Sequence, residues 1–281
     1  MGISMANPLQ KHFRQASIHM SLPSDGRWWR PGSLELSATR QVPVYPMTAR
    51  DEILLRTPDG LMNGSSIVEL FQNCCPAIKD GWAVPNIDVD AVLIAIRIAS
   101  YGPSLEIKNR CPHCNADNSH LYDLTVRLEQ IKSPNFDRIT EHDGLVYRFK
   151  PLNYFAITRE NTLTFRESKL LEALSSDETD VVAKEKLIRE AIKNLADANI
   201  LSLAHQTASI TIEDGVVQEQ EFIHEFYQNT KAETVRFLNQ RIKEIYDEVA
   251  PPENRAACVE CTKEYQVPFE FDYSSFFGKG F

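Results

Sequence analysis

The chain has 281 residues, 43% of them hydrophobic, enough to bury one large or two modest cores. Its 39 acidic and 30 basic residues leave a net charge of −9, the wrong sign for a dedicated nucleic-acid binder, and Arg27, Arg30, Arg40 and Arg50 are scattered without forming a basic stripe. No apolar run approaches the roughly 20 residues of a membrane span; the first eight residues lack the basic region and apolar core of a signal peptide, and Ala6 stands where a myristoylation site wants Ser or Thr.

The first fifty residues read as strands and turns. Residues 17–22 alternate, Pro23 to Gly26 form a turn, and Gln41 to Pro46 are held extended by their prolines. Trp28 and Trp29 stand side by side between Arg27 and Arg30, and Trp and Arg dominate binding hot spots. The pair is therefore a candidate partner surface; the alternative, one tryptophan in the core and one over an edge, stays open. Thr48 opens a short helix over 48–55 with Asp51 and Glu52 in its first turn, where the helix dipole favours acids. A second helix covers 65–75, with Ile67, Val68, Leu70 and Phe71 on its apolar side and Pro76 as its stop. A third begins near Asp88 and ends at Tyr101-Gly102; being apolar almost all round, it belongs at the centre of the first domain. Arg97 is its exception and needs an acidic or carbonyl partner if buried. Cys74 and Cys75 read as small core residues.

Beyond that helix, residues 104–110 alternate like a strand, Cys111-Pro112-His113-Cys114 makes a turn, and 121–128 alternate again. Another strand over 144–151 places a small sheet beside this knuckle. The character then changes to helix: 154–174, an exposed capped linker at 176–180, and 181–202. Asp214-Gly215 between apolar runs predicts a hairpin over 208–217. Helical spacing resumes over 219–249 with a break near Asn229-Thr230, and Pro251-Pro252 closes the insertion before Cys258-Val259-Glu260-Cys261 and a final strand over 265–271. The fold class is α+β: a small β-sheet with zinc-ribbon-like four-cysteine knuckles, an N-terminal helical and strand region, and a largely helical insertion between the knuckles. Residues 1–150 form the first unit, 151–250 the insertion, and 251–281 return to complete the first unit.

Two C-x-x-C turns supply the four soft ligands of a closed tetrahedral site, so Cys111, Cys114, Cys258 and Cys261 are expected to hold one structural Zn2+. In a reducing cytoplasm such thiolates bind metal in preference to forming disulfides. Zinc ribbons usually separate their knuckles by roughly 15–20 residues, and here the gap is far longer. Loop closure costs only about 0.6 kcal/mol more per doubling of length, while structural zinc contributes roughly 10–16 kcal/mol in zinc-finger peptides, so a folded insertion is compatible with a shared site. The rival, a redox C-x-x-C, wants a helix N-terminus in a βαβ unit, and the frame here is strand, turn, strand. Free thiols are the remaining alternative. With four cysteines present, His113 and His120 are expected to face solvent.

Catalytic signatures are lacking. There is no phosphate-cradling Gly-rich loop, nucleophile elbow, H-E-x-x-H pair or dinucleotide fingerprint. His142-Asp143 and His224-Glu225 are expected to be solvated pairs, because sequence neighbours point different ways. A metal-dependent hydrolase would need an open coordination position that four thiolates do not leave. The chain end is unusually apolar, with Phe269, Phe271, Tyr273, Phe276, Phe277 and Phe281 where termini normally fray. Part of it is expected to dock on a neighbouring subunit, with packing in its own domain as the alternative; Phe276, Phe277 and Phe281 join Trp28 and Trp29 as candidate interface residues.

Several segments in order carry a resemblance: Leu22-Pro23-Ser24; Val42 to Ala49 followed by Asp51-Glu52 and Leu54-Leu55; Asp90 through Arg97 with Ser100-Tyr101-Gly102; Cys111 to Cys114; and Cys261 followed by Phe269 to Gly278. Together they resemble the T4-like bacteriophage baseplate protein family, associated with the baseplate hub of contractile tails. The resemblance implies a structural or assembly role without catalysis. It implies other phage baseplate and tail subunits as partners, no nucleic acid, membrane or small-molecule substrate, and a path from host cytoplasm to the virion tail. The metal is inferred from the cysteines and not from the family. The alternative is a zinc-ribbon adaptor that binds nucleic acid or transcription machinery; it predicts a basic surface, against which the acidic balance argues.

Overall fold

Apolar alternation sets the first two strands of the computed structural model, which describes residues 7–176, 181–267 and 276–277. β1 (Ile18–Ser21) and β2 (Gln41–Val44) pair antiparallel with Met20 opposite Val42, and Met20, Val42 and Val44 are buried. α1 (Ala49–Leu54) opens with a capping box, Thr48 and Asp51 each accepting the other's backbone N–H. The buried Asp51 also accepts from Arg14 at 3.2 Å and from the Asn73 amide at 2.8 Å, which ties the N-terminal arm to the next helices.

After the short α2 (Pro58–Met62) come α3 (Ser65–Cys74) and α4 (Asn86–Tyr101). α4 ends at Gly102, whose φ of 83° favours glycine. It is the centre of the first core, as its all-round apolar sequence predicts, with Val92, Leu93, Ile94 and Ile96 fully buried against Ile67, Leu70 and Phe71 of α3. Cys74 and Cys75 are buried there too, and burial pushes the Cys74 thiol up to about 12.

β3 (Ser104–Arg110) and β4 (Asp117–Asp123) form an antiparallel ribbon around the first knuckle. The alternating run expected over 121–128 does not continue as a strand. Asp123 accepts the Thr125 N–H at 2.8 Å and caps α5 (Leu124–Gln130), turning Leu124 into the first core.

β5 (Ile139–His142) and β6 (Leu145–Phe149) follow, then the long antiparallel helices α6 (Tyr154–Ser176) and α7 (Val181–Gln206). β7 (Thr207–Ile212) and β8 (Gly215–Val217) make the expected hairpin. The strand expected beside the first knuckle, β6, instead pairs with β7 in a four-stranded sheet ordered β5-β6-β7-β8. Its fully buried Tyr147 and buried Phe149 explain the choice: they pack with Ile210 in a second core. That core is closed by α8 (Gln220–Asn229) and α9 (Ala232–Asp247), through Ile223 and Tyr227 of the first and Leu238 and Ile242 of the second. The expected break near Thr230 is the extended C-cap between them. A second ribbon, β9 (Arg255–Ala257) with β10 (Glu264–Gln266), carries the second knuckle. Part of the linker expected at 176–180 and most of the final strand and aromatic tail, including Phe269, Phe271, Tyr273 and Phe281, lie outside the described residues.

Candidate metal centre

The two knuckles are built alike. After β3, the Cys111 N–H donates to Ala116 O and the Asn115 N–H to Cys111 O, both at 2.9 Å. After β9, the Cys258 N–H donates to Lys263 O at 3.0 Å and the Thr262 N–H to Cys258 O at 3.1 Å. Asn115 and Thr262 occupy the same left-handed position, with φ of 63° and 59°. Asn tolerates that region; a β-branched Thr does so at a cost, so the surrounding hydrogen bonds must hold the turn. In each knuckle the N–H two residues past the first cysteine, on His113 or Glu260, points at that sulfur from 3.4 Å.

These turns bring distant parts of the chain together. The four Sγ atoms all lie within 4.8 Å of one another. Cys111 Sγ is 3.7 Å from Cys261 Sγ, and Cys114 Sγ is 3.6 Å from Cys258 Sγ. These separations are far from a disulfide's roughly 2.05 Å, and close to the about 3.8 Å edge of a tetrahedron with Zn–S bonds of about 2.3 Å. The donor set and spacing therefore fit a closed four-thiolate site. A metal ion bound by Cys111, Cys114, Cys258 and Cys261 would cross-link the ribbons and offer no open position for substrate. Backbone N–H groups of Cys261 and Glu260, with the Asn118 amide, hold the Cys258 thiol down at about 6 despite desolvation. At Cys114 the Ala116 N–H also pulls downward, but desolvation and the three crowded sulfurs push the thiol up to about 12. Four thiolates this close need a cation to ionise together.

The residues around the sulfurs hold the knuckles in register. Buried Asn118 on β4 donates to Ala116 O at 3.0 Å in the first knuckle and accepts the Val259 N–H at 2.9 Å in the second. Its amide also approaches Cys258 Sγ at 3.6 Å. Sequence reasoning passed over Asn118, because an Asn in a polar stretch after a knuckle reads as surface. Tyr265 of β10 donates its hydroxyl to Asn109 at 2.8 Å and meets His120 Nε2 at 2.9 Å. His120 is accordingly half-buried and partnered, contrary to the expectation that it faces solvent, while His113 is exposed. His142, expected in a solvated pair with Asp143, lies 3.5 Å from that exposed carboxylate and also stacks on Phe237 with ring centroids 4.3 Å apart.

The candidate interface residues separate. Trp28 is half-buried, edge-on to Phe136 at 5.3 Å, with the Arg27 guanidinium 4.4 Å from its ring centroid. Trp29 packs on the first core and donates Nε1–H to the buried Asp88 at 2.9 Å. Phe276 and Phe277 do not face outward: they are 3% and 4% exposed, packed in the chain's own first core. Arg97, 6% exposed on α4, donates Nε–H to Phe276 O at 3.0 Å and Nη1–H to Gly102 O at 3.3 Å, so it has the carbonyl partners its position requires. The apolar surface of these two residues is covered here by the chain itself, the packing in its own domain that was the alternative to docking on a neighbour; Phe281 lies outside the described residues.

Comparison with curated proteins and with solved structures gave no match. A family model described as T4 bacteriophage base plate protein matches residues 16–278. The match spans both knuckles, the first and second cores and the Phe276-Phe277 anchor, and on it the chain belongs to the T4 bacteriophage base plate protein family.

Proposed function

We propose that this protein is a non-catalytic structural or assembly component of the baseplate of a contractile-tailed phage, placed in the hub or inner baseplate, with its ribbons stapled by one structural Zn2+. The single observation that carries the baseplate role is the family match over 16–278. The staple is supported by the convergence of Cys111, Cys114, Cys258 and Cys261 within 4.8 Å. A clamp of this kind stiffens small ribbons whose own core is slight: among the described residues, the fully buried cluster around the cysteines adds Tyr265 and Val267. On this reading the partners are other baseplate and tail proteins, and not nucleic acid, a membrane or a small-molecule substrate. The protein is made in the host cytoplasm and ends in the virion tail.

The test is a phage carrying a nonsense codon in this gene. Infected cells should accumulate no complete baseplates by electron microscopy, with rescue by the wild-type gene in trans. Normal tails and a normal burst without the protein would overturn the role.

A further inference from the structure

The four sulfurs of the candidate metal centre are not equivalent. Cys111 and Cys258, the first cysteine of each knuckle, are buried, whereas Cys114 is exposed and Cys261 half-buried. Each of the two close sulfur contacts couples a buried sulfur of one ribbon to an outer sulfur of the other: Cys258 to Cys114 at 3.6 Å, and Cys111 to Cys261 at 3.7 Å. Both contacts run between the ribbons, and neither lies within a C-x-x-C turn.

Hydrogen bonding adds to the difference. Cys258 Sγ collects the Glu260 N–H at 3.4 Å, the Asn118 side-chain amide at 3.6 Å and the Cys261 N–H. Cys114 receives one such group among the described residues, the Ala116 N–H. Each N–H drawn toward a thiolate stabilises its lone pair and lowers its nucleophilicity. A bound cation ionises all four sulfurs together, so protonation does not rank them; access and hydrogen bonding do, and both favour Cys114 over Cys258.

We infer that Cys114 is a modification site, the sulfur at which a hydroperoxide opens the staple, and that Cys258 is its resolving cysteine, so that oxidation replaces the metal by a disulfide between the same two ribbons. The inference rests on the zinc staple proposed above and gives that site a second, covalent state. The Cys114 thiolate attacks the distal oxygen of the hydroperoxide: an S–O bond forms, the O–O bond breaks, and the departing alkoxide takes a proton from water to leave as an alcohol. The Cys258 thiolate then attacks the Cys114 sulfur, and the S–S bond forms as hydroxide leaves with the electrons of the S–O bond. Two electrons pass from the sulfurs to the hydroperoxide. Closing from 3.6 Å to a bond of about 2.05 Å asks for a shift of about 1.5 Å. Cys111 and Cys261 remain as two thiolates, which do not make a closed four-ligand site, so the ion is released. The new bond spans 144 positions, and cross-links over long loops restrict the unfolded chain most. On the baseplate reading the particle leaves a reducing cytoplasm at lysis. A disulfide across the ribbons keeps them joined there, whereas one within either C-x-x-C turn would untie them.

The test uses the purified, zinc-loaded chain. With iodoacetamide below one equivalent, peptide mapping should find Cys114 labelled ahead of Cys261 and at least about tenfold faster than Cys111 and Cys258. Cys74 and Cys75, fully buried in the first core, should stay unlabelled. With one equivalent of hydrogen peroxide, non-reducing peptide mapping should find Cys114 joined to Cys258, zinc released to a colorimetric chelator in proportion, and β3, β4, β9 and β10 still protected from amide exchange. Labelling of any other cysteine as fast as Cys114 overturns the inference, and so does a first disulfide of any other pairing, or zinc that stays bound through the treatment. Zinc content separates the two claims. A chain that binds zinc and then pairs its cysteines otherwise loses this inference alone; a chain that binds none loses the staple and this inference with it.

Discussion

Replacing Phe276 with Ala tests how the end of the chain is held. The side chain is 3% exposed, meets the Phe277 ring edge-on at 5.0 Å, and its carbonyl accepts from Arg97 at 3.0 Å. Burial of each ring contributes about 1.5–3 kcal/mol, and the hydrogen bond to a charged donor about 1.5–3 kcal/mol. Ordering the two residues costs about 1–2 kcal/mol each in backbone entropy. At mid-range the docked pair is therefore worth about 4 kcal/mol net. Because the pair can undock locally without unfolding the core, Phe276→Ala should cost no more than about that. A loss of about 3 kcal/mol corresponds to a fall of about 6–12 °C in a domain of 150–250 residues. The double variant Phe276→Ala/Phe277→Ala should cost little more than the larger single one, since both report the same undocking. Thermal unfolding followed by circular dichroism reads both results. A melting temperature within about 1 °C of wild type, accompanied by failure of assembly, would refute the reasoning and return these residues to a partner interface.

Other perturbations reach other parts of the molecule. Asp88 is buried, and burial raises its pKa to about 6 against the opposing hydrogen bonds from Ser24 and Trp29. A raised folded-state value means that its contribution is fully present below the unfolded pKa and is lost as pH rises through 6, by something on the order of 3 kcal/mol by pH 7. The urea stability of wild type minus that of Asp88→Asn should therefore decline between pH 4 and pH 7, and a flat difference would refute the assignment. Gly81→Ala should cost about 1–3 kcal/mol by thermal unfolding, because the added Cβ meets Val68 O at 2.9 Å and Val68 Cα at 3.1 Å, both backbone atoms; an unchanged melting temperature would show that the chain yields there. Treatment with a strong chelator should lower amide protection in β3, β4, β9 and β10 by at least about tenfold while α3 and α4 stay protected, since the latter belong to a separate core. Uniform loss, or none, would contradict a local staple.

What could be read from the sequence followed from local chemistry. Thr48 and Asp51 announced α1, Gly102 ended α4, and Asp214-Gly215 placed the β7–β8 hairpin, because caps and turns are decided by adjacent residues. The need of Arg97 for a carbonyl was legible from one charge in an apolar helix, although the identity of that carbonyl, Phe276 O, was not. The tail and Arg97 each presented a loose end, and they answer each other across 179 positions. The pairing of β6 with β7 was hidden for the same reason, since the alternation of a strand says which face is buried and not which strand lies beside it. At the cysteine site the four sulfurs were legible by type and spacing. Asn118, Tyr265 and His120, which hold the two ribbons together, were not, because ordinary polar residues show their role only through the partners that folding brings to them.

The most direct test of the stapled-baseplate account is the metal content of the purified chain, measured by native mass spectrometry and elemental analysis on wild type and on Cys111→Ser/Cys258→Ser. One zinc per wild-type chain, absent from the variant together with the protection of its two ribbons, is the predicted result. A metal-free wild-type chain whose ribbons are as well protected as those of the variant would contradict it.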